Sequence, residues 1–193
     1  MNKKDNRPLS ARETAVTVIC SVLQHGKSLT EALELSENLE ARERAFSREL
    51  CYGTLRWYER LEAILKRLLK KPFKAKDLDI TVLALVGLYQ LIYLNTPDHA
   101  AVSETVKLCR NSKKSWAKGV LNGLLRNFLR NRESLEQAVD AQITQRFSHP
   151  EWLVHQLTEN WGERTADILH ENNQYPPMSI RVNQKKCSRE AYL

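Results

Sequence analysis

The most constraining feature of this sequence is an uncharged and almost wholly apolar run over residues 80–94. The run is shorter than the ~20 residues that cross a bilayer, and it contains Thr81 and Gln90. A helix that is apolar on all sides must be covered by other parts of the protein. The run therefore predicts a buried helix and argues against a membrane segment.

Helix signals dominate the chain around this run. Leu, Ala, Glu, Arg and Lys are the commonest residues, while Gly and Pro occur six times each, a composition that favours helix. Capping boxes begin at Ser10 and Ser28, and Gly26 is expected to end the first helix. A long helical stretch over 41–70 is predicted to break near Gly53 and to stop before Pro72.

Turn residues divide the second half. Asp77 or Asp79 is expected to cap the buried helix, and Pro97 to occupy the first position of the next one. Helices are then predicted up to about residue 132, with weaker helical patterns over 133–173. Within the weaker part, Pro150 is expected to open a helix and Gly162 to end it.

The chain changes character after residue 174. Residues 178–182 alternate apolar and polar side chains and predict a strand, and 188–193 predict barely one helical turn. Neither element can fold alone. We therefore expect a second domain to begin near Pro177 and to be incomplete, as in a truncated gene or a proteolytic fragment.

Charge is distributed unevenly. The formal net charge is +7 and the isoelectric point about 9.3. Between Glu104 and Glu133 there is no acidic residue, but there are eight cations: Lys107, Arg110, Lys113, Lys114, Lys118, Arg126, Arg130 and Arg132. Like charges repel unless a partner compensates them, so the tract predicts an external polyanion, with nucleic acid as the first candidate.

Positions 114, 118, 122, 126 and 130 form one slowly winding polar stripe on the predicted helix over 115–130. The residues expected to contact the phosphates of RNA or DNA are Arg110, Lys113, Lys114, Lys118, Asn122, Arg126 and Arg130. Gly119 and Gly123 would permit close approach of another backbone. The alternative is an ordinary solvated helix surface without a partner.

Other charged and aromatic groups leave alternatives open. The acidic residues Glu59 and Glu62 partly neutralise a second basic group. This group comprises Arg56, Arg60, Lys66, Arg67, Lys70, Lys71, Lys74 and Lys76. Trp57 and Tyr58 could stack on bases, although aromatics at helical spacing usually belong to a core. The arginines at 42, 44 and 48 alternate with glutamates, which favours local ion pairs.

Chemistry-bearing motifs are few. The four cysteines are widely separated, which argues against a zinc site or a disulfide scaffold and fits a cytoplasmic protein. No glycine-rich phosphate loop is present. His99 and His149 are expected to serve in turns or packing. The chain alone is therefore predicted to be catalytically inactive, without a metal or cofactor of its own.

Four blocks in order carry a family resemblance: 45–58, 87–91, 97–106 and 119–126. They resemble the N-terminal domain of the Fmu/Sun family of 16S ribosomal RNA cytosine-C5 methyltransferases. Residues 149–153 and 176–183 look like that family's linker and the opening of its catalytic part. The resemblance implies an all-α, NusB-like helical bundle that binds RNA, followed by the first strand of an incomplete α/β methyltransferase subdomain.

The resemblance implies a division into a flexible arm (1–9), a NusB-like RNA-binding domain (10–132), a helical linker (133–174) and the start of a methyltransferase domain (175–193). It also implies S-adenosylmethionine and a catalytic cysteine in the full-length family. None of the four cysteines here matches that motif.

Three functions remain open on the sequence. The first is the RNA-binding domain of a 16S ribosomal RNA methyltransferase whose catalytic module is missing. The second is a free-standing NusB-like factor in transcription or ribosome assembly, acting through protein and RNA contacts. The third is a helical scaffold without an RNA partner.

Overall fold

The computed structural model describes residues 9–111, 114–176 and 178–192, without the side chains of Arg110 and Asn111. Its helices are α1 (Ala11–His25), α2 (Leu29–Ala32), α3 (Ala41–Arg56), α4 (Tyr58–Leu68), α5 (Leu78–Tyr93), α6 (Asp98–Lys107), α7 (Ala117–Arg130), α8 (Arg132–Asp140), α9 (Ile143–Arg146), α10 (Glu151–Trp161), α11 (Thr165–Asn172) and α12 (Arg189–Tyr192). The described part of the chain contains no strand, so the predicted all-α class is confirmed.

Helix α5 is the centre of the bundle and confirms the predicted buried helix. It packs against α1, α3, α4, α6 and α7, and its side chains are buried almost all round. The polar Gln90 is accommodated by hydrogen bonds: its Oε1 accepts from Arg12 Nε at 2.9 Å and its Nε2 donates to Thr105 Oγ1 at 3.3 Å. No helix in the described ranges is long and apolar enough to traverse a bilayer.

The first capping box and the glycine end of α1 are confirmed, whereas only half of the second predicted capping box, at Ser28, is formed. The Ser10 side chain accepts a hydrogen bond from the Glu13 amide, and the Glu13 carboxylate accepts one from the Ser10 amide at 2.9 Å. Gly26 ends α1 with φ 63°, a conformation that glycine adopts without strain. Ser28 caps α2 by accepting from the Glu31 amide at 3.2 Å.

The expected break at Gly53 is wrong. Helix α3 continues through Gly53, and the chain bends at Trp57 instead. Gly53 is needed for packing, because the ring of Tyr89 occupies the space where a Cβ would stand. Trp57 stacks on Tyr93 with ring centroids 4.5 Å apart and packs against the core. The core role of Trp57 is therefore the correct alternative.

Two predicted helix starts are shifted in detail. Asp77 precedes α5 at the capping position, but its side chain makes no capping hydrogen bond. Pro97 stands one position earlier than expected, immediately before the first residue of α6. In both cases the predicted start of the helix is close to the observed one. Contacts with other parts of the fold determine which hydrogen bonds form there.

The later helices attach to α4 through a buried charge. Arg60 forms an ion pair with Asp140, and its Nη1 lies 3.4 Å from the carbonyl oxygen of Arg146. Burial lowers the pKa of Arg60, but the hydrogen bond to Asp140 together with the charges of Tyr93, Asp140 and Glu136 raises the pKa overall. The pair thus joins α4 to α8 and to the end of α9.

The strand predicted over 178–182 is not formed among the described residues. Alternating side chains favour extended backbone, but a strand exists only when a neighbouring strand accepts and donates its hydrogen bonds. The described residues supply no such neighbour. The short helical turn predicted near the end is confirmed as α12.

Candidate nucleic-acid interface

Helix α7 presents one face to the core and one to solvent. Leu121, Leu125 and Phe128 are completely buried, and α7 packs against α5 and α6. On the opposite face Lys118, Arg126 and Arg130 are exposed. The apolar spacing that forms this helix therefore also determines which side its cations occupy.

These three cations are not compensated within the described protein. None of them forms an ion pair with a carboxylate in the described ranges. Asn122 lies beside them, and its Oδ1 accepts a hydrogen bond from Arg126 Nε at 3.2 Å. The structure thus brings four of the seven sequence-predicted residues together on one rigid helix.

Lys114 lies apart from this group, in the turn before α7. Its ammonium group is 3.0 Å from Asp77 Oδ1 and 2.5 Å from Asp79 Oδ1, and it donates to the carbonyl oxygen of Lys76 at 2.8 Å. Burial lowers the pKa of Lys114, but the hydrogen bonds to both aspartates together with their negative charges raise it overall. Lys114 therefore fastens the loop 69–77 to the start of α7.

The remaining Lys and Arg residues of the acid-free tract do not add to the set of unpaired cations on α7. Lys107 pairs with Glu104, and Arg132 pairs with Glu136 at 3.2 Å. The Arg110 side chain and Lys113 lie outside the described part of the structure, so their expected RNA contacts remain predictions. Acidic residues at the borders of the tract thus neutralise its ends.

The second basic group divides in the structure. Arg60 is buried, Lys66 pairs with Glu62, and the Arg56 guanidinium lies over the Tyr175 ring at 5.7 Å. The lysines of the loop 69–77 are exposed and form no ion pair with described carboxylates: Lys70, Lys71, Lys74 and Lys76. Arg44 and Arg48 both pair with Glu37 rather than with the neighbouring Glu40, Glu43 or Glu49.

Trp116 departs from the apolar pattern of α7. Its place in the apolar set 116, 120, 121, 124, 125 and 128 predicts an inward position, yet 51% of its surface is exposed, and Val120 is also exposed, at 42%. At 100° per residue, position 116 lies well away from Leu121, Leu125 and Phe128, so a helical projection would have separated it. Its ring lies 6.3 Å from that of Phe73, at the edge of the lysine-bearing loop.

Burial acts on three of the four thiols. Burial raises the pKa of Cys20 to about 11 and that of Cys51 to about 12, and it also raises the pKa of Cys109. A thiol must ionise to act as a nucleophile. Among the described residues no cluster of His, Cys, Asp and Glu could hold a metal ion.

The helical bundle places the chain in a known class. The sequence profile of the NusB family matches residues 9–130, and the chain belongs to that family. A second profile, the ferredoxin-like domain of the Methyltr_RsmF/B-like type, matches residues 149–193.

Curated relatives carry a more specific name. Ribosomal RNA small subunit methyltransferase B of Pseudomonas syringae pv. tomato is 41% identical over 186 residues, covering 96% of this chain and 42% of the relative. The Pseudomonas putida protein of that name is also 41% identical, with 96% and 43% covered. The Coxiella burnetii protein, named as a probable member, is 40% identical, with 96% and 42% covered. The chain thus spans less than half of each relative, and these matches confirm the family resemblance of its motifs.

Proposed function

We propose that this chain is the RNA-binding part of an S-adenosylmethionine-dependent 16S ribosomal RNA cytosine-C5 methyltransferase that acts in the cytoplasm. The exposed face of α7 would hold RNA phosphates and orient the RNA toward a catalytic module. The name of the relatives supports ribosomal RNA as the substrate class. The ferredoxin-like match over 149–193 favours this function over a free-standing NusB-like factor.

The observation that carries the proposal is the set of uncompensated cations on α7. Lys118, Arg126 and Arg130 lie on a helix whose other face is fixed in the core. Cations at successive turns of a rigid helix can contact successive phosphates without reading bases. The proposed contacts are Lys118, Asn122, Arg126 and Arg130, with Arg110 and Lys113 as further predicted contacts.

The glycines of α7 support close approach. A Cβ at Gly119 or at Gly123 would meet no atom within 4 Å, so packing within the described protein does not require either glycine. Each glycine in a helix interior costs about 1 kcal/mol relative to alanine. Bare backbone on the outer face lets an RNA strand lie nearer to the helix than longer side chains would allow.

Methyl transfer itself belongs to the proposed whole protein. S-adenosylmethionine would supply the methyl group there. The buried thiols of Cys20, Cys51 and Cys109 do not fit the nucleophile of that reaction, because their raised pKa values keep them protonated. The described residues therefore take no catalytic step in this proposal.

The test is a double charge reversal, Lys118→Glu with Arg126→Glu. We expect binding of a small-subunit ribosomal RNA transcript to weaken. We also expect the plot of log affinity against log salt concentration to become shallower by about two, since each lost phosphate contact removes about one from the slope. Filter binding at several salt concentrations measures both quantities, and circular dichroism verifies folding.

The matched control reverses Lys185 and Lys186, two exposed lysines near the end of the chain. It makes the same change in net charge at another place. An affinity that is unchanged by the α7 reversal, or that falls equally in the control, would contradict the proposed surface.

A further inference from the structure

A cleft lies between the loop 69–77 and the segment that leads into α7. Its volume is about 610 Å³, and it is lined by Pro72, Phe73, Lys74, Lys76, Asp77, Lys114 and Trp116. This volume falls within the range of roughly 300–1,000 Å³ that small-molecule sites occupy. The cleft is next to the N-terminal end of α7, where the proposed RNA surface begins.

Lys114 holds the two walls of the cleft together. It comes from the segment before α7 and reaches the carboxylates of Asp77 and Asp79 and the carbonyl of Lys76 on the other side. Asp77 is only 6% exposed, whereas the Asp79 side chain is 43% exposed, so the link is buried on the Asp77 side and open to water on the Asp79 side. The two walls of the cleft are therefore joined by side-chain contacts.

The aromatic lining is available to a ligand. Trp116 keeps half of its surface exposed while it borders the cleft, and Phe73 is half-buried behind it with the two ring planes tilted by 54°. The indole is thus supported on one side by Phe73. An exposed, supported indole provides a surface on which a flat, unsaturated ring can stack.

The charge at the cleft favours an anion. Lys74 and Lys76 are exposed and have no carboxylate partner among the described residues, whereas Asp77 and Asp79 share Lys114. Three ammonium groups therefore face two carboxylates, and the two unpaired ammonium groups lie on the open loop. A ligand that combines a planar ring with a negative charge matches this lining.

We propose that the cleft binds one unpaired nucleotide of RNA, with its base against Trp116 and its phosphate beside Lys74 and Lys76. This inference rests on the proposed function, because the same strand would continue along α7 past Lys118. A base in a duplex is already stacked and paired, so it cannot enter. The cleft therefore gives the protein a preference for single-stranded segments.

The test measures how Trp116→Ala binds two probes, a short oligoadenylate and the same strand annealed to oligouridylate. We expect the variant to lose about tenfold in affinity for the single strand, which is a typical effect of removing one stacking aromatic. Affinity for the duplex should not change. Trp116→Phe, which keeps an aromatic ring, should retain most of the single-strand affinity.

Trp161→Ala is the matched control, because Trp161 is 52% exposed on α10. It should bind both probes like the unaltered protein. Equal losses on both probes, or no loss with Trp116→Ala, would overturn the assignment of the cleft.

The charge-reversed α7 variant separates this inference from the proposed function. If that variant weakens binding of both probes while Trp116→Ala changes neither, the cleft assignment fails and the α7 surface stands. If the unaltered protein binds neither probe nor the ribosomal RNA transcript, both proposals fail.

Discussion

Gly53 and Gly123 are both helical glycines, but their surroundings differ completely. A Cβ at Gly53 would lie 1.9 Å from Tyr89 Cζ, and the Tyr89 hydroxyl is held by Glu49 at 2.6 Å. A Cβ at Gly123 would meet nothing within 4 Å. Sequence alone marks both as helix-weakening residues, and only the neighbouring helix shows why one of them is required.

We therefore expect Gly53→Ala to lower the free energy of unfolding by about 2 kcal/mol, because the Tyr89 ring must move and its contacts in the core must change. Gly123→Ala should raise that free energy by about 1 kcal/mol through helix propensity. Urea denaturation of both variants provides the measurement. A free energy of unfolding that Gly53→Ala leaves unchanged or raises would show that the Gly53–Tyr89 contact does not matter for stability.

Local residue contacts were predictable, and distant ones were not. The bond pattern between Ser10 and Glu13 follows from residues three apart, so the sequence contains it. The contacts of Lys114 with Asp77 and Asp79 join segments that come together only after the helices pack. This is why Lys114 was predicted to lie at the RNA surface, although in the structure it forms ion pairs that join the loop 69–77 to the start of α7.

At the scale of elements, side-chain periodicity predicted α7 and its exposed cations, because a helix satisfies its backbone hydrogen bonds internally. The same reasoning failed for the segment 178–182, because a strand requires a partner. The end of α3 was also misplaced, because the chain bends at Trp57, whose ring stacks on Tyr93 of α5. The buried and exposed faces of helices were therefore easier to predict than the positions where helices end and the pairing of strands.

Helix α11 is fastened to the turn before α10 through His149. The His149 Nδ1–H group donates to the carbonyl oxygen of Phe147 at 2.6 Å, which leaves Nε2 to accept from Asn172 Nδ2 at 2.8 Å. Asn173 adds a bond to the same carbonyl at 2.7 Å. A buried imidazole thus connects two elements far apart in the sequence.

Replacing Asn172 with Leu should loosen α11 without unfolding the bundle. The lost bond leaves a buried ring nitrogen unsatisfied, which costs about 1–3 kcal/mol. We expect amide hydrogen exchange in α11 to accelerate at least about fivefold, while exchange in α5 stays unchanged. Asn160→Ala is the control, since the Asn160 side chain donates to the Gln156 carbonyl within its own helix; equal acceleration in both variants would exclude the His149 link.

At the scale of the whole molecule, a buried thiol and two buried tyrosine hydroxyls make the free energy of unfolding depend on pH in the alkaline range. Burial raises the pKa of Cys51 from an ordinary value of 9.0 to about 12, and it also raises the pKa values of Tyr89 and Tyr93. Above the ordinary pKa the unfolded chain loses protons that the folded chain keeps. The stabilisation is therefore complete below about pH 9 and is lost as pH rises toward 12.

We expect the free energy of unfolding to fall steeply above about pH 9, and Cys51→Ala to reduce that slope by about 1.4 kcal/mol per pH unit. The cavity left by the substitution shifts the whole curve, so only the slope reports on the thiol. Urea denaturation under reducing conditions from about pH 8 to about pH 11 measures it. Parallel curves would show that Cys51 ionises equally in both states.

The general architecture was accessible because one segment is apolar on every side. The run over 80–94 predicted a buried helix, and the composition predicted helical neighbours, as the packing around α5 confirms. The cleft at Trp116 was not accessible, because its walls come from two loops separated by some forty positions in the chain. A surface formed by one helix can be predicted from the sequence, whereas a surface formed by two distant loops can be recognised only once the fold is known.

The position of α5 in the chain also affects biosynthesis. Helices α1, α3 and α4 each pack part of their apolar faces against α5, yet they leave the ribosome before it. The nascent chain therefore keeps part of this apolar surface uncovered until residues 78–93 have emerged. Chaperones that protect such intermediates during translation should matter more for this protein than for a bundle built around its first helix.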